Sequence, residues 1–113
     1  MTLPPQSMLL RIFIGESDRV DHRALHEVIV ERARQRGLAG ATVLRGFLGF
    51  GANSRIHTSK VLRLSEDLPV VVEIVDAEEK IEAFLPELDT MIGEGLVTLE
   101  RVRVIAYRHN AKG

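Results

Sequence analysis

The sequence predicts an α+β domain, a four-stranded antiparallel sheet with two helices on one face. Three observations predict it. Apolar residues alternate in four stretches and recur at helical spacing in two, in the order strand, helix, strand, strand, helix, strand. That order is the split βαβ pattern of a ferredoxin-like fold. The chain has 113 residues, which suits a single domain spanning 1–113 with its own core. Finally, the strand stretches are apolar on both faces. Two helices cover one face, and a bare apolar face is rare on a monomer, so the other is expected to meet further copies of the chain.

Each element has its own warrant. Met8 to Ile14 reads as a central strand, with Leu10, Ile12 and Ile14 on one face and Leu9, Arg11 and Phe13 on the other. Gly15 to Asp21 reads as a polar turn. Leu25, Val28, Ile29 and Ala33 repeat at helical spacing, and Gly37 is a natural stop. Arg32, Arg34 and Arg36 then suit the negative end of the helix dipole. Ala41 to Phe50 reads as a second strand, in which Gly46 and Gly49 signal a bulge or a close backbone approach. Gly51 to Ser59 lacks periodicity and reads as a loop, and Lys60 to Leu64 as a short strand or hairpin arm. Val70 to Val75 is almost all β-branched, hence a strand. Asp76 and Glu79 fit a capping box. Ile81, Phe84, Leu85, Leu88 and Met91 form the stripe of a second helix, which Pro86 is expected to kink or split. Gly93 and Gly95 end it, and Val97 to Tyr107 reads as the last strand.

Composition excludes several classes. With no cysteine there is no disulfide, thiolate metal site or cysteine nucleophile. The net charge of −1 argues against a non-specific nucleic-acid or membrane-surface binder. Aromatic residues for RNA stacking are lacking on Val70 to Val75. No apolar run is long enough to cross a bilayer, and Met1 to Ser7 shows no secretory pattern, so a cytoplasmic protein without direct membrane insertion is expected. The neutral sum conceals blocks. Arg32 to Ser65 holds no Asp or Glu, Glu66 to Glu94 is strongly acidic, and the chain is basic again from Arg101. Such blocks pair elements or subunits, or mark an anion site.

No catalytic set is visible. The serines lie in turns, none in a nucleophile elbow, and the carboxylate pairs sit on a surface helix and a turn. His22 and His26, four apart, have the spacing of two ligands on one helix face, with Asp18, Asp21 or Glu27 as a third. A solvated helix face explains them as well, and no metal site is assigned. The glycines of Gly46-Phe47-Leu48-Gly49-Phe50-Gly51 suit either turn geometry or a backbone nest for an anion. The loop beyond supplies Asn53, Arg55, His57 and Lys60 as polar arms. Gly93-Glu94-Gly95 is a second glycine pair.

Several strings carry a resemblance. Gly40-Ala41-Thr42-Val43-Leu44-Arg45-Gly46, Gly49-Phe50-Gly51, His57-Thr58, Leu64-Ser65-x-Asp67-Leu68-Pro69-Val70, Phe84-Leu85-Pro86 and Gly95-Leu96-Val97-Thr98-Leu99-Glu100 resemble the DUF190 family, small proteins similar to the PII signal transducers. The likeness runs from about Leu9 to Tyr107. It implies a homotrimer that binds an adenine nucleotide (AMP, ADP or ATP) between subunits. Thr42 and Gly49-Phe50-Gly51 would form one wall, with Gly93, Gly95 and Arg108 opposite, and Arg45, Arg55 or Arg108 would assist the phosphate. Asn53, Arg55, His57 and Lys60 would face a regulated partner, a membrane transporter or an enzyme. Two departures qualify the likeness. The loop before the last strand lacks the lysine that grips phosphate in PII proteins. The modified loop tyrosine is also absent, since Tyr107 is the only tyrosine, so uridylylation there is excluded. The alternatives are a metal-responsive trimer similar to the CutA proteins, using His22 and His26, and a ligand-free scaffold.

Overall fold

The alternation of the first strand sorts its side chains between two faces, and the rest of the fold is laid against that division. The computed structural model describes residues 2–51 and 67–109, and the backbone alone of 57–58. Strand β1 (Gln6–Gly15) is followed by a small hairpin of β2 (Arg19–Val20) and β3 (Arg23–Ala24), then by helix α1 (Leu25–Gln35). Strand β4 (Thr42–Arg45) and a ribbon of β5 (Leu48–Gly49) with β6 (His57–Thr58) come next. Strand β7 (Pro69–Asp76), helix α2 (Glu78–Met91) and strand β8 (Leu96–Arg103) complete the order. The main sheet runs β4-β7-β1-β8, antiparallel throughout, which is the ferredoxin-like arrangement.

Leu10, Ile12 and Ile14 of β1 and Val70, Val72 and Ile74 of β7 point to the helices and are buried. They meet Leu25, Val28, Ile29 and Ala33 of α1, and Ile81, Phe84, Leu88 and Met91 of α2, in one core. The two stripes expected from periodicity are therefore the ones that pack, except that Leu85 sits at the core's margin. Helix α1 ends as Gly37 foretells. Gly37 has φ +75°, its N–H bonds the Arg34 carbonyl at 3.0 Å, and the N–H of Leu38 bonds the Ala33 carbonyl at 3.0 Å. This is a Schellman motif, and Leu38 beyond it is buried in the core.

Several expectations are corrected. The stretch before α1 is not only a turn: Asp21 (φ +50°) and His22 (φ +67°) join β2 to β3 as a two-residue hairpin. A turn of that hand needs positive φ at both positions, to match the strand twist. His22 thus lies outside the helix, and the pairing of His22 with His26 on one helix face is lost. The second strand is shorter than Ala41 to Phe50. It leaves the sheet after Arg45, where the Gly46 N–H bonds the Pro69 carbonyl at 2.7 Å and ends the pairing with β7. The stretch Gly51 to Ser59, expected as a loop, carries the short strand His57–Thr58, and Lys60 to Leu64 lies outside the described residues. The last strand ends at Arg103 rather than Tyr107. Pro86 neither splits α2 nor ends it. It lies on the exposed side, where water can satisfy the carbonyl one turn back that its ring leaves without an N–H.

The capping box also fails, for an informative reason. The cap of α2 is Ala77, without a side-chain bond. Asp76 is buried, and its carboxylate accepts from the Ala39 N–H at 2.8 Å and the Ala77 N–H at 2.6 Å. It ties the lead-in to β4 to the start of α2, where the helix dipole favours an anion. Asp76→Ala is expected to lower unfolding free energy by about 1.5–3 kcal/mol, as for other buried hydrogen bonds to charged groups. Asp76→Asn, which keeps one acceptor, should cost less. Chemical denaturation measures both.

The charge blocks prove to be partly internal struts. Arg32 of α1 and Arg36 at its C-terminal cap hold Glu87 of α2 at 2.8 and 2.5 Å. Lys80 of α2 reaches the Gly37 carbonyl at 3.0 Å. Hydrogen bonds from Arg32 and then Arg36 pull the Glu87 carboxyl below its ordinary value of 4.5. The folded state therefore prefers the ionised form. That stabilisation is present above the ordinary carboxylate pKa and is lost as pH falls through the lowered folded value. Denaturant midpoints should decline on acidification toward pH 3, and the decline should be shallower in Glu87→Gln.

Candidate functional site

The expected ligand residues fall into two groups at opposite edges of the sheet. The first follows edge strand β4. Thr42 lies opposite Glu73 and is exposed, and Arg45 lies opposite Val70. The guanidinium of Arg45 pairs with Glu16 at 3.1 Å, so an anion bound here would compete with or share that partner. Gly49 pairs with His57 across the ribbon, and exposed Phe50 and Gly51 follow it. Asn53, Arg55 and Lys60 lie outside the described residues, and His57 is described by its backbone alone.

Two glycines here answer to a neighbour within the fold. A β-carbon on Gly46 would stand 2.8 Å from Cγ of Pro69, and one on Gly49 would stand 3.0 Å from it. The Pro69 ring therefore requires small residues where the chain leaves the sheet. The expected close approach is present, and it accounts for glycine at these two positions by packing alone.

The second group stands at the other edge, before β8. Gly95 has φ +151°, and a β-carbon on it would lie 2.8 Å from the Phe13 carbonyl oxygen. Gly93 has open space around it. Both glycine groups sit at the same end of the sheet, since Gly15 pairs with Pro69 and Phe13 with Leu96. Three interstrand steps separate the two edges, about 14 Å at the usual spacing. One chain does not bring its two walls together. Arg108 is at the opposite end from Gly95. The N–H of Val104 extends the ladder to the Pro5 carbonyl, and the Tyr107 hydroxyl donates to the Ala39 carbonyl at 3.3 Å. The segment after β8 thus runs past that end of the sheet toward the lead-in to β4.

Sequence reasoning missed two features. Phe47 and Leu48 are strongly exposed beside Phe50 at the base of the ribbon, an apolar cluster at an unpaired edge. On the sheet face away from the helices, Arg11 joins Glu73 at 2.9 Å and Glu100 at 2.5 Å across three strands. A signal for the second existed. Arg11 stands among apolar residues in a central strand, and such a cation needs acids beside it on neighbouring strands. Among the described residues, no group of three or more His, Asp or Glu side chains is placed to hold a metal. His26 keeps its Nδ1 buried and, among the described residues, without a hydrogen-bond partner. No described helix is long and apolar enough to cross a membrane.

Gly95→Ala places a β-carbon at a backbone angle that such residues rarely adopt, against a carbonyl. It is expected to cost about 1–3 kcal/mol of stability. Gly93→Ala, with open space, should stay within about 0.5 kcal/mol of the parent. Thermal and denaturant unfolding of the pair separates conformational need from ligand contact.

Comparison with known proteins completes the description of the site. The DUF190 family model, described as an uncharacterized ACR, matches residues 7–104. A UPF0166 protein of Aquifex aeolicus is 46% identical over 97 residues, covering 86% of this chain and 91% of that protein. Among solved structures, CPII of Thiomonas intermedia K12, a nitrogen regulatory PII-like protein bound to ADP, AMP and bicarbonate, superposes with a TM-score of 0.59. It is 16% identical and the match covers 88% of each chain. The ATP complex of B. subtilis GlnK superposes with a TM-score of 0.51 at 11% identity, covering 89% of this chain and 85% of the other. At these identities the structures establish a shared fold.

Proposed function

The chain belongs to the DUF190 family, with the fold of PII-like proteins, and from that premise we propose that it is a regulatory protein binding an adenine nucleotide between copies of itself. The observation that carries this reading is the split site. Thr42, Arg45, Gly49, Phe50 and Gly51 stand on one edge, and Gly93 and Gly95 on the other, at the same end of the sheet. A cleft with both walls forms only when the β4 edge of one copy meets the β8 edge of the next. Contacts of this head-to-tail kind form a ring when the rotation between copies closes, and a homotrimer is the ring we assign.

In this reading the backbone around Gly49 to Gly51 receives the phosphates and Arg45 supplies the charge, exchanging Glu16 for the ligand. Phe50, exposed and aromatic, offers a face to the base. Arg108, a strand length from Gly95, serves the far end of the cleft. The role is binding rather than catalysis. A cytoplasmic setting fits such a regulator. The ribbon bearing His57, with Asn53, Arg55 and Lys60, is assigned to a partner protein, a transporter or an enzyme. The nucleotides in CPII and GlnK support the ligand class, since those proteins share the fold.

Calorimetry and thermal shift with ATP, ADP, AMP and cyclic AMP test the nucleotide. At least one should bind, and Arg45→Ala should weaken it by roughly tenfold or more, the loss of one charge-assisted contact. Silence from all four at millimolar concentration removes the nucleotide from this reading.

A further inference from the structure

The sheet face away from the helices has a simple composition that fixes how it can be covered. Its rows follow from the register. Leu44, Val71, Phe13 and Leu96 form one row across all four strands. Thr42, Glu73, Arg11 and Thr98 form the next, and Val75, Leu9 and Glu100 the third. Phe13, Leu44 and Leu96 are exposed. The first row and the flanking Leu9 and Val75 are an apolar surface that a second copy would bury. Within these rows only Arg11, Glu73 and Glu100 carry charge, so one cation stands against two carboxylates.

Among the described residues, the neighbouring strands add no further charge to this face. β4 contributes Thr42 and Leu44, both uncharged, β7 contributes Glu73, and β8 contributes Glu100. Arg101 and Arg103 of β8 pair with Met8 and Gln6, and Arg101 reaches Glu78 of α2 on the helix side. Arg108 and His109 lie past the end of the sheet, beyond Val104, which still follows Pro5.

We propose that covering this face with further copies of the chain takes up protons at the Glu73–Glu100 pair, so that assembly is linked to pH. This rests on the reading of the chain as a homo-oligomer. The physical reason is the unmatched charge. In the separate chain all three groups are partly exposed, and water solvates the second carboxylate. Burial removes that water, and Arg11 can neutralise only one of its two partners. An unmatched buried carboxylate is costly and neutralises instead by binding a proton. The proton belongs to the pair rather than to either residue. The proton is gained on assembly, so association strengthens as pH falls through the carboxylates' titration in the assembly, and weakens above it.

The test measures the association constant of the full chain by sedimentation and light scattering from pH 5 to pH 8. The expected result is a rise on acidification, approaching tenfold per pH unit for each proton taken up. Glu100→Gln removes the excess charge while keeping the shape. It should assemble more tightly at pH 8 and with a flatter pH profile, and Glu73→Gln should do the same. Circular dichroism checks that each variant is folded. An assembly whose constant is indifferent to pH, with Glu100→Gln and Glu73→Gln no tighter than the parent, overturns the linkage and leaves the oligomer standing. A monomer at every pH overturns both.

Discussion

The period-two alternation of the two central strands is the constraint on which the rest depends. β1 and β7 are neighbours in the sheet, and their register places Leu10 beside Ile74 and Ile12 beside Val72. These four side chains are almost wholly inaccessible to water. Slipping either strand by one residue would turn Arg11 or Glu73 into that core and expose its apolar set. The core thus determines not only where the helices lie but also that Arg11 and Glu73 meet on the opposite face. A buried surface and a charged one are specified by a single register.

From that register follow the two edges. Among the described residues β4 and β8 each keep one side unpaired, a liability that proteins manage by covering or charging the edge. Here both edges carry exposed apolar residues, Val43 and Leu44 on one, Leu96, Val97 and Leu99 on the other. Glycines close each edge at the same end of the sheet. Pro69 demands small neighbours at Gly46 and Gly49, and the Phe13 carbonyl demands none but glycine at Gly95. Glycines that suggested a phosphate nest are in part answers to the packing of Pro69 and Phe13. Flexibility for a ligand and necessity for the fold are satisfied by the same residues.

The charges divide in a similar way. Arg32 and Arg36 clasp Glu87, and Arg101 reaches Glu78, so much of the contrast between the basic middle and the acidic stretch after it is spent inside one chain. Among the described residues, Arg45 meets one carboxylate, Glu16. Arg11 stands the other way round, one cation against two carboxylates.

Much of this was legible in the residues themselves. Apolar spacing identified the four main strands, both helices and their buried stripes, because alternation and helical repeat depend only on neighbours along the chain. Gly37 announced the end of α1 for an equally local reason, since only the backbone at that position must turn left-handed. Other features depended on partners distant in sequence. Asp76 looked like a cap for the helix beside it, but Ala39, brought alongside by the strand order, claims its carboxylate. Gly46 ends β4 because Pro69 stands across from it, and Arg11 finds Glu73 and Glu100 only once three strands lie side by side. Which elements form, and which face each one buries, follow from the residues alone, because period and composition act locally. That the two halves of the candidate site stand on opposite edges, and that one cation faces two acids, follows from the folded arrangement, because both depend on strand order and register.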